Sequence, residues 1–285
     1  MTGSGMKVVV TGAAGQLGYD VMQRLKECGI VAVGMDLPQV DITDKAAVEA
    51  FILNERPDGV IHCAAYTAVD NAETEKELCS AVNETGTRNV AAACEKCGSK
   101  LIYISTDYVF SGKGENAFEV DSPKAPCNHY GASKLAGEEA ALEICGKCFV
   151  VRISWVFGIN GKNFVKTMLR LAESRDELTV VNDQVGSPTY TYDLAILLCN
   201  MIQTEKYGVY HATNEGFCTW AEFAAEIMKL AGKKTKIIPV TSAEYKTVAV
   251  RPLNSRMSKE SLDQNGFERL PAWQDALAAF LAELK

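Results

Sequence analysis

The feature that most narrows what this chain can fold into is Gly12-Ala-Ala-Gly15-Gln-Leu-Gly18, directly behind the β-branched run Lys7–Thr11. A helical pattern starts at once after it, with Leu17, Val21, Leu25 and Cys28 spaced three and four residues apart. A glycine loop between a strand and a helix start aims backbone amides outward and lets a phosphate approach the main chain closely. The spacing G-x-x-G-x-x-G differs by one residue from the commoner dinucleotide fingerprint, so the strand-turn-helix context carries the reading. A nucleotide-binding α/β domain is expected.

The pattern that follows agrees with this. Residues 30–36 read as a second strand, 44–54 as a helix and 59–63 as a wholly apolar strand. A helix over about 83–97, a strand over 101–105, a helix around 133–144 and a strand over 149–153 continue the alternation. Continuous apolar strands separated by helices predict an α/β fold with a doubly wound parallel Rossmann sheet, covered on both faces. The second half is less regular: a helix over 163–172, a capping box at Thr219-Trp-Ala-Glu222, a strand over 237–240 and an amphipathic helix after Pro271. The expected division is a Rossmann domain over 6–153, with about 180–212 returning to the sheet, and a smaller C-terminal α/β substrate lobe over 154–179 and 213–285. Residues 1–5 read as padding before a second start at Met6.

Two side-chain patterns point to chemistry. Asp36 ends the second strand, where a carboxylate accepts hydrogen bonds from an adenosine ribose, and no Lys or Arg lies between Gly29 and Thr43 to receive a 2′-phosphate. NADH is therefore the expected cofactor, with NADPH possible. Tyr130-Gly-Ala-Ser-Lys134 lies in a loop-to-helix segment, downstream of Ser105-Thr106-Asp107 at a strand end. Residues i and i+4 share a helical face, so the Lys134 ammonium is expected to lower the Tyr130 phenol's pKa and fit it for proton transfer.

With those residues the chain resembles the extended short-chain dehydrogenase/reductases. The resemblance runs through nearly the whole chain from Met6, in Cys63-Ala-Ala-Tyr-Thr-Ala-Val-Asp70, Tyr103-Ile-Ser-Thr-Asp-Tyr-Val-Phe110, the stretch from Tyr130 to Glu138, Arg152-Ile-Ser-Trp-Val-Phe-Gly158, Asn163-Phe-Val-Lys-Thr-Met-Leu169, Asp183-Gln-Val-Gly-Ser-Pro-Thr189 and Arg251-Pro-Leu-Asn-Ser-Arg256. It implies reduction of the keto group of a dTDP-linked 4-keto-6-deoxy sugar, with Thr106, Tyr130 and Lys134 as the catalytic trio. It implies Gly12, Gly15, Gln16, Leu17 and Gly18 at the cofactor pyrophosphate, Asp36 at the ribose, Asp41 and Ile42 beside the adenine, and Ala64, Ala65 and Tyr66 along the cofactor. Thr106, Asp107 and Trp155 match positions that contact the sugar nucleotide; Asn163, Gln184, Thr189 and Arg251 match further contacts from the lobe. Some family members dimerise through magnesium bridged by glutamates, but Asp20 stands next to Tyr19 here. A monomer or a homodimer is expected.

Two rivals are kept. Related dehydratases follow the active-site Thr with Asp-Glu, whereas this chain has Asp107-Tyr108; an epimerase shares the Tyr/Lys pair. A non-catalytic, reductase-like regulatory subunit is the other, and the intact trio argues against it.

Composition excludes several partners. A net charge of -7 gives no positive field for nucleic acid, and no window approaches a membrane span or a signal peptide, so a cytoplasmic protein is expected. Ten cysteines in a chain large enough to bury a full core read as reduced thiols. Cys94-Glu-Lys-Cys97 and Cys145-Gly-Lys-Cys148 could form a zinc site, but they stand farther apart than in zinc ribbons and share helical faces with Val90 and Ala141, so burial explains them first. His62, His129 and His211 show no metal-ligand spacing. No metal is expected.

Overall fold

A computed structural model describes residues 5–284; residues 1–4 of the expected N-terminal padding lie outside it. The first half runs β1 (Lys7–Thr11), α1 (Gln16–Glu27), β2 (Val31–Met35), α2 (Lys45–Glu55), β3 (Gly59–His62), α3 (Lys76–Ser80), a π-helical turn (Ala81–Gly86), α4 (Thr87–Cys97), β4 (Lys100–Thr106), α5 (His129–Ile144) and β5 (Cys148–Ile153). The second half holds β6 (Val156–Phe157), α6 (Phe164–Leu171), β7 (Glu177–Val181), β8 (Val185–Gly186), β9 (Thr189–Tyr190), α7 (Thr191–Ile202) and β10 (Gly208–His211). It ends with β11 (Cys218–Thr219), α8 (Trp220–Leu230), β12 (Lys236–Val240), α9 (Glu260–Gln264) and α10 (Trp273–Glu283).

Six strands form one parallel sheet in the order β10-β5-β4-β3-β1-β2. From β1 the chain winds outward to β2, then crosses back to β3 on the other side. The strand order thus reverses between β1 and β3, and a crevice opens there at the strands' carboxyl ends. Side-chain alternation splits the core into two layers. Val8, Val10, Ile61, Ile102 and Val151 pack under α1 and α7, while Val9, Val60, Leu101, Tyr103 and Val150 pack under α2, α4 and α5. The expected doubly wound parallel sheet is what the chain forms.

The remaining elements build three two-stranded sheets, β7 with β12, β8 with β11 and β6 with β9. Phe157, Met168, Phe223, Ile227, Trp273 and Phe280 bury a separate core among them. The capping box forms as its residues predict, with Glu222 N donating to Thr219 Oγ1 at 3.1 Å and Thr219 N to Glu222 Oε2 at 2.7 Å. Asp20 is buried and accepts from the Thr191 hydroxyl of α7, joining the first and last helices of one sheet face. Among the described residues, no helix is long and apolar enough to cross a membrane.

Candidate active site

The crevice at the strand reversal is a cleft of about 940 Å³. Its floor is the glycine loop. Gly12 has φ +60, and a Cβ there would lie 2.9 Å from Ala64 N and Cα, so only glycine lets the loop touch β3's end. A Cβ at Gly18 would lie 2.1 Å from the Gly12 carbonyl oxygen. Gly15 caps α1 without a side-chain acceptor, which leaves first-turn amides open toward the cleft, the arrangement that binds phosphate. Asp36 accepts from Ala14 N and Leu37 N, both at 2.9 Å, and so ties β2's end to the loop. Asp41 closes its own turn by accepting from Thr43 N at 2.9 Å.

The second half of the chain grips this loop. Asn160 Nδ2 donates to Ala14 O at 2.7 Å, and Asn163 Nδ2 to Gln16 Oε1 at 2.9 Å. Tyr66 is fixed from below by Asn83, which accepts from Tyr66 N at 2.8 Å and donates to Tyr66 O at 3.1 Å and Ser133 Oγ at 2.9 Å. Asn83 sits within the π-helical turn. A single turn of this kind often marks a functional position.

Thr106 is the last residue of β4, and Oγ1 donates to Asp107 Oδ1 at 2.9 Å while accepting from Tyr108 N at 3.3 Å. Tyr130 lies on α5, one residue inside its start, because Asn128 caps the helix by accepting from Gly131 N at 2.8 Å. Lys134, one turn on, is buried; Nζ donates to Ile104 O at 2.6 Å and stands 4.2 Å above the Tyr103 ring. Burial pulls its pKa down to about 7, partly opposed by the Glu138 carboxylate. Glu138 pairs in turn with Arg152 of β5 and accepts from Ser105 Oγ at 2.9 Å, all fully enclosed.

One expectation is corrected here. The Tyr130 phenol is not lowered: burial pushes its pKa well up, and the Asp107 carboxyl pushes the same way. Lys134 is itself desolvated and turned to the Ile104 carbonyl, so it stabilises no phenolate in this state. Asp107 is pushed up to about 6 by burial, against hydrogen bonds from Ser255 and Thr106.

The cleft wall carries Gly12, Gly15, Gln16, Leu17, Asp36, Asp41, Ile42, Ala64, Ala65, Tyr66, Thr106, Asp107, Tyr130, Lys134 and Trp155 together. Five residues singled out from the sequence stand outside that wall. Gly18 packs behind the loop, Asn163 caps α6, Gln184 Nε2 donates to Ser242 Oγ at 2.9 Å, and Thr189 Oγ1 donates to Ser154 O at 2.6 Å. Arg251 is bound to Asp70 and to the Tyr108 hydroxyl. Two residues went unnoticed in the sequence. Trp220 stacks on Trp155 with ring centroids 3.8 Å apart, and both line the cleft. Its place directly after the helix cap Thr219 was the available signal. Ser255 reaches Asp107 across 148 residues, and no local pattern announces it.

A parallel sheet with a glycine loop at its strand reversal, and a Thr/Tyr/Lys group facing that loop, defines a nicotinamide-dependent oxidoreductase of the extended short-chain dehydrogenase/reductase class. The sequence model described as RmlD substrate binding domain matches residues 6–285, and the chain belongs to that family. It is 40% identical to the spore coat polysaccharide biosynthesis protein SpsK of Bacillus subtilis, over 97% of each chain. It is 41% identical to a dTDP-4-dehydrorhamnose reductase of Streptomyces griseus, over 94% of this chain and 91% of that one. The crystal structure of dTDP-4-dehydrorhamnose reductase from Bacillus anthracis, in complex with NADP, superposes with a TM-score of 0.96 at 43% identity, covering 98% of this chain and all of that one.

Proposed function

We propose that this chain reduces the 4-keto group of dTDP-4-dehydro-L-rhamnose to dTDP-L-rhamnose with NAD(P)H, the last step of dTDP-rhamnose biosynthesis. The observation that carries the reading is the meeting of Thr106, Tyr130 and Lys134 with the glycine loop in one cleft, in a chain similar end to end to reductases of that name. The cleft fits a dinucleotide: glycine cradle, uncapped helix start and a carboxylate at β2's end.

A bound dihydronicotinamide supplies hydride to the sugar carbon. Tyr130 holds the proton for the developing alkoxide, and its raised pKa keeps the phenol protonated across the neutral range, the form an acid needs. Thr106 orients the carbonyl oxygen, and Lys134 holds the nicotinamide ribose. Gln16 and Leu17 would hold the pyrophosphate of a bound cofactor, and Asp41 and Ile42 its adenine, since all four line the cleft. Asp36 favours NADH over NADPH, because its carboxylate would meet a 2′-phosphate and no Lys or Arg lies between Gly29 and Thr43 to offset it. Residues 6–153 and the returning segment carry the cofactor, and the lobe carries the dTDP-sugar, with Trp155 against the sugar and Arg251 toward the diphosphate. Ten free thiols, six of them buried, suit a reducing cytoplasm.

NADH oxidation against a panel of nucleotide-linked 4-keto sugars tests this. Turnover with dTDP-4-dehydro-L-rhamnose is expected. Water loss from a 4-hydroxy sugar would favour a dehydratase, and no turnover on any sugar would favour a regulatory subunit.

A further inference from the structure

Asp107 is 3% exposed and Ser255 2%, yet they lie 148 residues apart in the chain and bond side chain to side chain. The groups facing the carboxyl are Thr106 and Tyr108 on its own turn, Tyr130 on α5, Cys127 just before α5, and Ser255. Phenols and thiol are neutral near pH 7. Hydroxyls and the local backbone amides therefore do the work of holding this carboxylate, which would otherwise be costly to bury.

Ser255 has little freedom to do anything else. Its amide donates to Val185 O at 2.7 Å, Val185 N donates to Leu253 O at 2.9 Å, and Asn254 is pinned by bonds to Gly112 O and Asn116 O. Gly186 packs so closely that a Cβ there would lie 3.0 Å from both the Ser255 Cβ and the Trp155 ring. The segment is rigid, and its one free hydroxyl is spent on Asp107 Oδ2. That leaves Oδ1 for Thr106, whose hydroxyl lines the same cleft as Tyr130.

We propose that Ser255 is a positioning residue of the reduction: its hydroxyl fixes the Asp107 carboxyl, and the fixed carboxyl sets the Thr106 hydroxyl against Tyr130 in the cleft. This rests on the reaction assigned above. It also joins the lobe to the catalytic group, because β8, whose Val185 bonds the Ser255 amide, packs on Trp155 through Gly186.

The test compares Ser255→Ala, Asp107→Asn and the double variant, each assayed with NADH and dTDP-4-dehydro-L-rhamnose. Ser255→Ala should lower kcat about tenfold, the effect of losing a hydrogen bond to a charged group, with NADH affinity unchanged. In the Asp107→Asn background the same change should cost less than about twofold, since residues acting through one another are not additive. Carbon-13 carboxyl titration, with Asp107→Asn assigning the signal, should show Asp107 moving to higher pH in Ser255→Ala, because a bond that favours the charged form is gone. Equal losses in both backgrounds, or an unmoved titration, would overturn the proposal. Should Ser255→Ala fold poorly, Ser255→Cys keeps the volume with a weaker donor and must show the same non-additivity. Wild-type protein inactive on this sugar would overturn the reaction instead; the titration would then judge the Ser255 hold alone, a shift supporting it and none removing it.

Discussion

Arg251 and Asp70 stand 181 residues apart in the chain, and the guanidinium Nη2 donates to the Asp70 carboxylate at 2.8 Å. The same carboxylate accepts from Ala249 N at 3.0 Å, so one acid anchors both the backbone and the cation of the C-terminal segment beside the site. If Arg251 serves the substrate diphosphate, Arg251→Ala raises KM for the sugar nucleotide about 10- to 100-fold, the worth of a charge-assisted bond, with NADH affinity held. Isothermal titration with each ligand separately reads the difference; equal losses for both would mark a structural role.

Tyr130→Phe removes only the proposed acid. A fall in kcat of about 10² to 10⁴-fold is expected, with circular dichroism and NADH affinity unchanged. Lys134→Ala should lose comparable activity and also weaken NADH. A fully active Tyr130→Phe would shift attention to Asp107.

Cofactor choice turns on Asp36. Asp36→Ala should move the NADPH-to-NADH ratio of kcat/KM toward NADPH by about fivefold or more, the effect of removing roughly 1 kcal/mol of charge conflict. Both cofactors should bind less well, because the loop amide of Ala14 loses its acceptor. An unchanged ratio would remove Asp36 from the ribose site.

How much of this was legible in the sequence depends on the range over which each residue acts. The glycine loop, the Thr219 box and the strands of the first half are local, and their residues declare them within a few positions. The start of α5 was read about four residues late, because Gly131 weakens the helical pattern and the Asn128 cap went unread; Tyr130 consequently stands on the helix, not in a loop before it. The helix expected from about residue 83 starts at Lys76 and passes through a π-helical turn, which shifts its face and breaks the period. Trp220, Ser255 and the Arg251–Asp70 pair act across folds of the chain, where periodicity carries no information. The phenol's pKa was misjudged for a related reason: spacing brings Lys134 to the right face, but burial decides its charge.

Two buried histidines weaken the fold in acid. His62 bonds to Thr11 Oγ1 and Thr87 Oγ1, and His211 Nε2 faces Arg152; burial holds both pKa values down to about 3. Unfolded imidazoles titrate near 6.5, so between about pH 6.5 and 3 the unfolded chain binds more protons and stability falls as pH falls. The buried carboxyls of Asp107, Asp20 and Asp193, all raised by burial, act the other way, because the folded chain takes up their protons first and so gains stability as pH falls toward about 4. Across the whole window the two larger histidine shifts outweigh them, so melting temperature should fall, and His62→Asn should flatten the slope even though it lowers the melting temperature near neutral pH.

Purified protein should hold no stoichiometric zinc. Zinc needs about four converging ligands, and Cys94 and Cys97 end one helix while Cys145 and Cys148 flank the start of a strand. Among the described residues, no group of three His, Cys, Asp or Glu side chains is arranged to hold a metal ion. Elemental analysis near one zinc per chain would revive the paired cysteines.

The order of the sheet has a consequence for how the chain emerges from the ribosome. When β5 has been made, its outer edge carries unpaired amides and carbonyls until β10 docks at Gly208–His211, more than fifty residues later. The glycine loop likewise waits for Asn160 and Asn163. A nascent chain stalled in that interval offers an open strand edge, a template for pairing with another copy. Release of fragments ending between about residues 165 and 205 should therefore give aggregates joined through the open β5 edge, while the complete chain covers that edge with β10.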